Sequence, residues 1–337
     1  MRELASSVVV RVSRASRLLA GRLVAIGLAS GAVFLLSHDH VFPEFESATL
    51  VHGVPPTHPW VLVNGKSWQI RSDGSEPPAV TDVAEGTRGA CGPGMVEVRG
   101  AMKMDGTRGS VEGLQDLTCT RWITRDFPER CATFDRERWL AQSRELPTRP
   151  VHFCIDRYEY PNRKGAYPII AVTWNEAKAW CEKDGERLCS EDEWTFACEG
   201  GEAMPYPNGY TRDEQACVID RPWKLFDAQR FAVRDGPLAE AEVDYLWQGE
   251  ASGSHPACRS VFGAHDMIGN VDEWTASVQH GGYRSVLKGG YWGPVRARCR
   301  ASTRAHNEDF YFYQQGFRCC SDVPSPAGDG GTDAASD

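Results

Sequence analysis

His280, His306, Glu308 and Asp309 bring two imidazoles and two carboxylates into one short stretch of chain. Two histidines and a carboxylate are the donor set of non-haem iron centres, so this quartet could support metal-dependent oxidation. The competing reading is four solvated loop residues, and it is preferred, because charged and imidazole side chains are mostly exposed. A second group, Tyr283, Tyr291, Trp292, Arg296, Arg298, Arg300 and Arg304, interleaves aromatic rings with guanidinium groups. Such residues dominate binding hot spots, so part of the run could line a groove for an extended peptide or a sugar. They suit equally well a core filled by Trp and Tyr, with the arginines paired to surplus acids. Both readings can hold for different residues of the run. No Ser-His-Asp arrangement, phosphate loop or nucleic-acid motif is present in the sequence.

The chain has 12 cysteines in 337 residues and no C-x-x-C pair. Zinc sites favour that spacing, whereas an even, high count in an exported chain reads as a disulfide framework. Composition is globular, with 41% hydrophobic and 25% charged residues, and 33 Gly and 11 Trp suit a loop-rich fold with aromatic anchors. The net charge is −9, while residues 1–37 carry Arg2, Arg11, Arg14, Arg17 and Arg22 against Glu3 alone. The remainder is therefore more acidic than the total, which argues against non-specific nucleic-acid binding.

The elements that must position these residues follow from pattern. Arginines precede the apolar run Leu23–Leu36 and acids follow it, as in a signal-anchor with the N-terminus inside and the body outside. The run is intermediate in length between a signal-peptide core and a full span, so an uncleaved anchor over 1–37 is expected, with a cleaved signal or a buried helix as alternatives. Residues 38–90 read as a linker or stalk, interrupted by one hairpin candidate, WVLVNGKSWQI, with its Asn64-Gly65 turn. Met95–Met104 alternates apolar and polar residues as a half-buried strand does. Residues 105–150 look like an insertion stapled by Cys119 and Cys131. Thr173 with Glu176, and Ser190 with Glu193, are capping boxes that open two helices. Each helix turns a cysteine inward: Cys181 in the first, Cys198 in the second. Residues 206–259 show little periodicity and predict a long irregular excursion. The small, acidic tail over 323–337 predicts disorder.

Four segments then fall in a telling order: VTWNEAKAWCEKDGERLCSEDEWTFACEGG, MIGNVDEWT, LKGG and GFRC. Over roughly residues 91–322 this arrangement resembles the formylglycine-generating enzyme, or sulfatase-modifying factor, family. The resemblance implies that family's complex α+β variant of the C-type lectin-like fold, with limited regular secondary structure. It implies two disulfides, Cys181–Cys319 and Cys198–Cys299, and leaves the other cysteines unassigned. It implies a calcium site from the side chains of Asp266 and Glu273 and the carbonyls of Gly269 and Val271, a hard-oxygen set on a Gly-bearing turn. The alternative is that Asp266 and Glu273 cap the turn and pair with arginines. A second family calcium site, which relies on an Asn after a cysteine, is not expected, because Val218 follows Cys217.

The family's catalysts oxidise a cysteine of sulfatase precursors with a close pair of copper(I)-binding cysteines. That pair would fall between Gly290 and Cys299, where this chain reads YWGPVRAR, and Asp272 stands where the family's active site has a Trp. Without two close thiolates there is no soft copper(I) site, so copper is not expected. The reading is an extracytoplasmic, membrane-anchored domain without formylglycine-generating activity, binding a peptide, protein or glycan. Its expected groove is formed by Tyr291, Trp292, Arg296, Arg304 and His306. Calcium is the expected ion, and contact with a membrane is expected through the N-terminal segment only. The alternative is a non-haem iron or other metal-dependent oxidoreductase using the same groove.

Overall fold

A computed structural model describes residues 56–71 and 90–324. The expected anchor over 1–37, the tail from residue 325 and most of the expected linker lie outside the described residues.

Asn64 and Gly65 both take positive φ, 52° and 69°, which closes the hairpin of β1 (Trp60–Val63) and β2 (Ser67–Ile70). This hairpin belongs to the domain. Trp68 and Ile170 exchange both backbone hydrogen bonds, at 3.1 and 2.9 Å, and Trp60, Trp68 and Ile70 pack in a core cluster with Ile170 and Trp247. The expected boundary at residue 91 is corrected accordingly, because two tryptophans and an isoleucine on so short a hairpin need a core to cover them.

Strand β3 (Met95–Lys103) runs antiparallel to β6 (Thr148–Asp156), and between them lie α1 (Val111–Asp116), β4 (Cys119–Thr124), β5 (Arg130–Phe134) and α2 (Arg136–Ser143). The Cys119–Cys131 bridge staples the β4–β5 ribbon, as expected of an insertion held by its own cysteines. Both capping boxes are formed, starting α3 (Trp174–Lys183) from Thr173 and α4 (Glu191–Glu199) from Ser190, with the short β7 (Arg187–Leu188) between them. Trp174, Ala177 and Cys181 of α3 are buried, as are Trp194, Ala197 and Cys198 of α4.

Residues 206–259 are mostly irregular, but they contain one helix that the sequence reading did not anticipate, α5 (Pro237–Leu246). Gly236 precedes it, Pro237 opens it, and Ala239, Val243 and Leu246 are buried at helical spacing.

The chain ends in β8 (Asp272–Ala276), β9 (Ser285–Lys288), β10 (Ser302–Thr303), β11 (Gln315–Phe317) and β12 (Cys319–Ser321). Two four-stranded sheets result, in the orders β10-β9-β8-β11 and β3-β6-β12-β7, with β11 parallel to β8. All 12 cysteines are paired in six disulfides. Cys181–Cys319 and Cys198–Cys299 are among them, and the rest are Cys91–Cys154, Cys119–Cys131, Cys189–Cys320 and Cys217–Cys258. Adjacent strand residues face opposite sides of a sheet, so Cys319 and Cys320 reach different partners, one on α3 and one just after β7.

Candidate functional site

Strand β9 leaves its sheet through Gly289 and Gly290, at φ 87° and 70°. A Cβ on Gly289 would lie 2.9 Å from the Met267 carbonyl oxygen, and one on Gly290 would lie 2.8 Å from a Val295 methyl. Only glycine turns the chain here. Beyond the turn, Tyr291, Val295, Arg296 and Ala297 line a cavity of about 560 Å³ together with Ala301–Arg304, His306, Phe310 and Phe312. Asp272 of β8 and Gln314 and Gln315 at β11 lie across its base, joined through the Asp272 amide, which donates to the Gln314 carbonyl at 2.9 Å.

Four of the five expected groove residues, Tyr291, Arg296, Arg304 and His306, line this cavity. Trp292 does not. It is 2% exposed, with ring centroids 4.8 Å from Trp247 and 5.9 Å from Tyr313, and it belongs to the core. The arginines divide similarly. Arg298 and Arg300 are structural, held by Asp116 at 2.7 Å and Glu199 at 2.6 Å. Arg296 pairs with Glu112 and Glu129, and Arg304 with Glu191, so both reach the groove with their charge already matched. Tyr283 is exposed.

The possible iron quartet is not brought together. His306 stacks on Phe310 with centroids 3.8 Å apart, and burial lowers its imidazole from the usual value. Glu308 accepts the Arg284 amide at 2.6 Å, Asp309 accepts Asn175 at 2.8 Å, and His280 is exposed. Among the described residues, the one clustering of three such donors is Asp156, Glu186 and Cys319, and Cys319 is spent in a disulfide.

Asp272 is the acid of the groove. Its Oδ1 accepts the Gly290 amide at 3.2 Å, while burial, reinforced by the neighbouring Glu273 charge, pushes its carboxyl up to about 7. Gln314 Oε1 and Gln315 Oε1 are buried side-chain acceptors without a hydrogen-bond partner. The sequence drew attention to Asp272 only as a replaced Trp, and nothing in its pattern marked the two glutamines.

Behind the groove lies the turn that carries the expected calcium ligands. A Cβ on Gly269, at φ 75°, would come within 2.2 Å of the Val218 carbonyl oxygen, so this turn also requires glycine. Asp266 accepts the Gly253 amide at 2.7 Å, and burial pushes its carboxyl up to about 6. Glu159, which the sequence reading missed, holds the turn by accepting Asn270 at 2.8 Å and the Val271 amide at 3.3 Å. Burial, then the charges of Asp266 and Glu273, raise Glu159 well above the ordinary carboxylate range.

Glu273 is fully enclosed and fully used. Arg318 donates to its two oxygens at 2.7 Å each, and Trp194 Nε1 donates to Oε2 at 2.7 Å. This donor set does not offer Glu273 to a cation unless Arg318 is displaced. The alternative weighed for this residue, pairing with an arginine, describes its geometry.

The model of the sulfatase-modifying factor enzyme 1-like domain matches residues 138–323. That is more than half of the chain, and the protein belongs to this family. It is a member that lacks the catalytic cysteine pair, since the residues between Gly290 and Cys299 include no cysteine.

Among curated proteins it is similar to inactive C-alpha-formylglycine-generating enzyme 2 of Bos taurus, 31% identical over 174 residues that cover 48% of this chain and 53% of that protein. It is also similar to the formylglycine-generating enzyme of Mus musculus, 28% identical over 176 residues, 46% of this chain and 44% of that one. The chain thus spans about half the length of the curated relatives it matches. Among solved structures it is similar to PvdO from Pseudomonas aeruginosa, at 18% identity and a TM-score of 0.41, over 70% of this chain and 97% of that one. The fold is the α+β, disulfide-stapled formylglycine-generating-enzyme type.

Proposed function

We propose that this domain is an extracytoplasmic binding module, without formylglycine-generating activity, whose groove takes a peptide or glycan. The observation that carries the reading is the state of the cysteines: all 12 are in disulfides and none is free. A copper(I) oxidase of this family needs two available thiolates, and every thiol here is committed to holding the fold. The scaffold around the groove is nevertheless complete, with its glycine turn, aromatic walls and polar base. The similarity to an inactive relative points the same way.

The purified protein, incubated with copper(I), oxygen and a peptide carrying a CxPxR cysteine, is expected to form no aldehyde. Aldehyde formation overturns the proposal. A screen of peptides and glycans tests the binding half, and failure to bind either class would leave a structural role in the envelope. Six disulfides support an oxidising, extracytoplasmic compartment. Among the described residues no helix is long and apolar enough to cross a membrane. Anchoring therefore rests on the Leu23–Leu36 run, and a reporter fused after Phe34 that is active only in the cytoplasm would refute it.

A further inference from the structure

The lining of the groove is largely apolar, with the side chains of Asp272, Gln314 and Gln315 among it. Leu287, Val295, Ala297, Ala301 and Phe312 supply hydrocarbon around the cavity of about 560 Å³. At the base, Asp272 spends Oδ1 on the Gly290 amide, while Gln314 and Gln315, 9% and 1% exposed, each hold a buried Oε1 with no partner. An unpaired buried acceptor is unfavourable by about 1–3 kcal/mol, so each of these oxygens calls for a donor, from water or from a bound group.

The cations of the neighbourhood are already engaged. Arg296 and Arg304 are paired with acids, and Lys288 donates to the Arg300 carbonyl and to Ser302 Oγ, at 3.0 Å each. Glu273, the next acid along β8, is bound by Arg318. Asp272 has no ion-pair partner among the described residues, so the groove keeps one carboxyl group without a salt bridge beside two unmatched amide oxygens.

Resting on the binding role proposed above, we propose that this groove recognises a primary amine on an apolar stem, the side chain of a lysine in a peptide, with Asp272, Gln314 and Gln315 as its acceptors. An ammonium carries three donors and no acceptor, and the groove offers it the Asp272 carboxyl and the two glutamine oxygens. Its four methylenes would lie against the Leu287, Val295 and Phe312 side chains, so the stem stays out of water as the head pairs. A guanidinium is planar and wider, and a glycan would meet the base with hydroxyls that bring acceptors of their own.

The test uses the intact, disulfide-bonded protein and capped pentapeptides Gly-Gly-X-Gly-Gly, with X as lysine, norleucine or Nε-acetyllysine, titrated by NMR on methyl-labelled Leu287, Val295 and Ala297. The lysine peptide is expected to bind at least about tenfold more tightly than the norleucine peptide, the gain typical of a charge-assisted hydrogen bond. Asp272→Asn, which keeps the acceptor for Gly290, should remove most of that preference, bringing lysine and norleucine binding close together. Gln314→Leu, at the more exposed glutamine, gives a second reading should the first variant fold poorly. Equal binding of lysine and norleucine peptides, or a lysine preference untouched by both variants, overturns this inference while leaving a peptide groove in place. Absence of methyl shifts with every peptide removes the inference and the peptide-binding reading together.

Discussion

Arg318 offers the sharpest test of how this fold is held. It is completely buried, and its guanidinium makes two 2.7 Å bonds to Glu273 and three more to the carbonyls of Asp156, Arg157 and His265, at 3.2, 3.4 and 2.8 Å. It is also the cation opposing the buried Glu159 and Asp266. Arg318→Met keeps the aliphatic stem and removes all of this, leaving one carboxylate with only Trp194 and three carbonyls without their donor. Removing one partner of a buried ion pair typically costs about 3–5 kcal/mol, and the extra carbonyls place this variant at the upper end.

Urea unfolding with the disulfides kept oxidised measures the loss. Glu273→Gln in the Arg318→Met background should recover part of it, because the orphaned charge is gone, so the two substitutions should deviate from additivity by about 1–3 kcal/mol. A loss under about 1 kcal/mol for Arg318→Met, at an unchanged denaturant slope, would refute the reasoning that this buried pair holds the fold.

The same pair sets the response to calcium: with Glu273 bound by Arg318, adding calcium or EGTA should leave the thermal midpoint unchanged, and a calcium-dependent rise would mean that a cation displaces the guanidinium. His265 is pushed down from 6.5 to about 4, first by burial and then by nearby arginines, so its NMR titration midpoint should fall near there. Because its folded value lies below its unfolded one, the stability it contributes is present above pH 6.5 and is lost as pH falls toward 4; His265→Gln should flatten that part of the acid limb. Replacing both cysteines of Cys198–Cys299, 101 residues apart, should cost about 5 kcal/mol, against about 3 for Cys119–Cys131, 12 apart, by guanidinium unfolding; equal losses would contradict the loop-entropy account.

Local chemistry made much of this legible in the sequence. The two capping boxes, the Asn-Gly hairpin turn and the alternation of β3 are short-range signals, and all appear where they were expected. The family's motifs carried two disulfides, and the interleaved aromatic and arginine residues pointed to most of the groove wall. What escaped depends on distant contacts. Trp292 and Tyr291 are chain neighbours, yet one is core and the other groove wall, a division made by Trp247 on an element far away in sequence. The pairing of Glu273 with Arg318 could not be read from its own motif, because Arg318 lies 45 residues downstream. Helix α5 was hidden by the Gly and Pro around it, although its buried positions kept the helical period.

The segment between β7 and β8 includes exposed stretches around Trp223, Leu225 and Val233, open to a protease. Four of the six bridges, Cys181–Cys319, Cys189–Cys320, Cys198–Cys299 and Cys217–Cys258, join residues before this stretch to residues after it. A molecule cut there stays in one covalent piece and parts into two only under a reductant. In a compartment rich in proteases, the domain can be nicked without being lost.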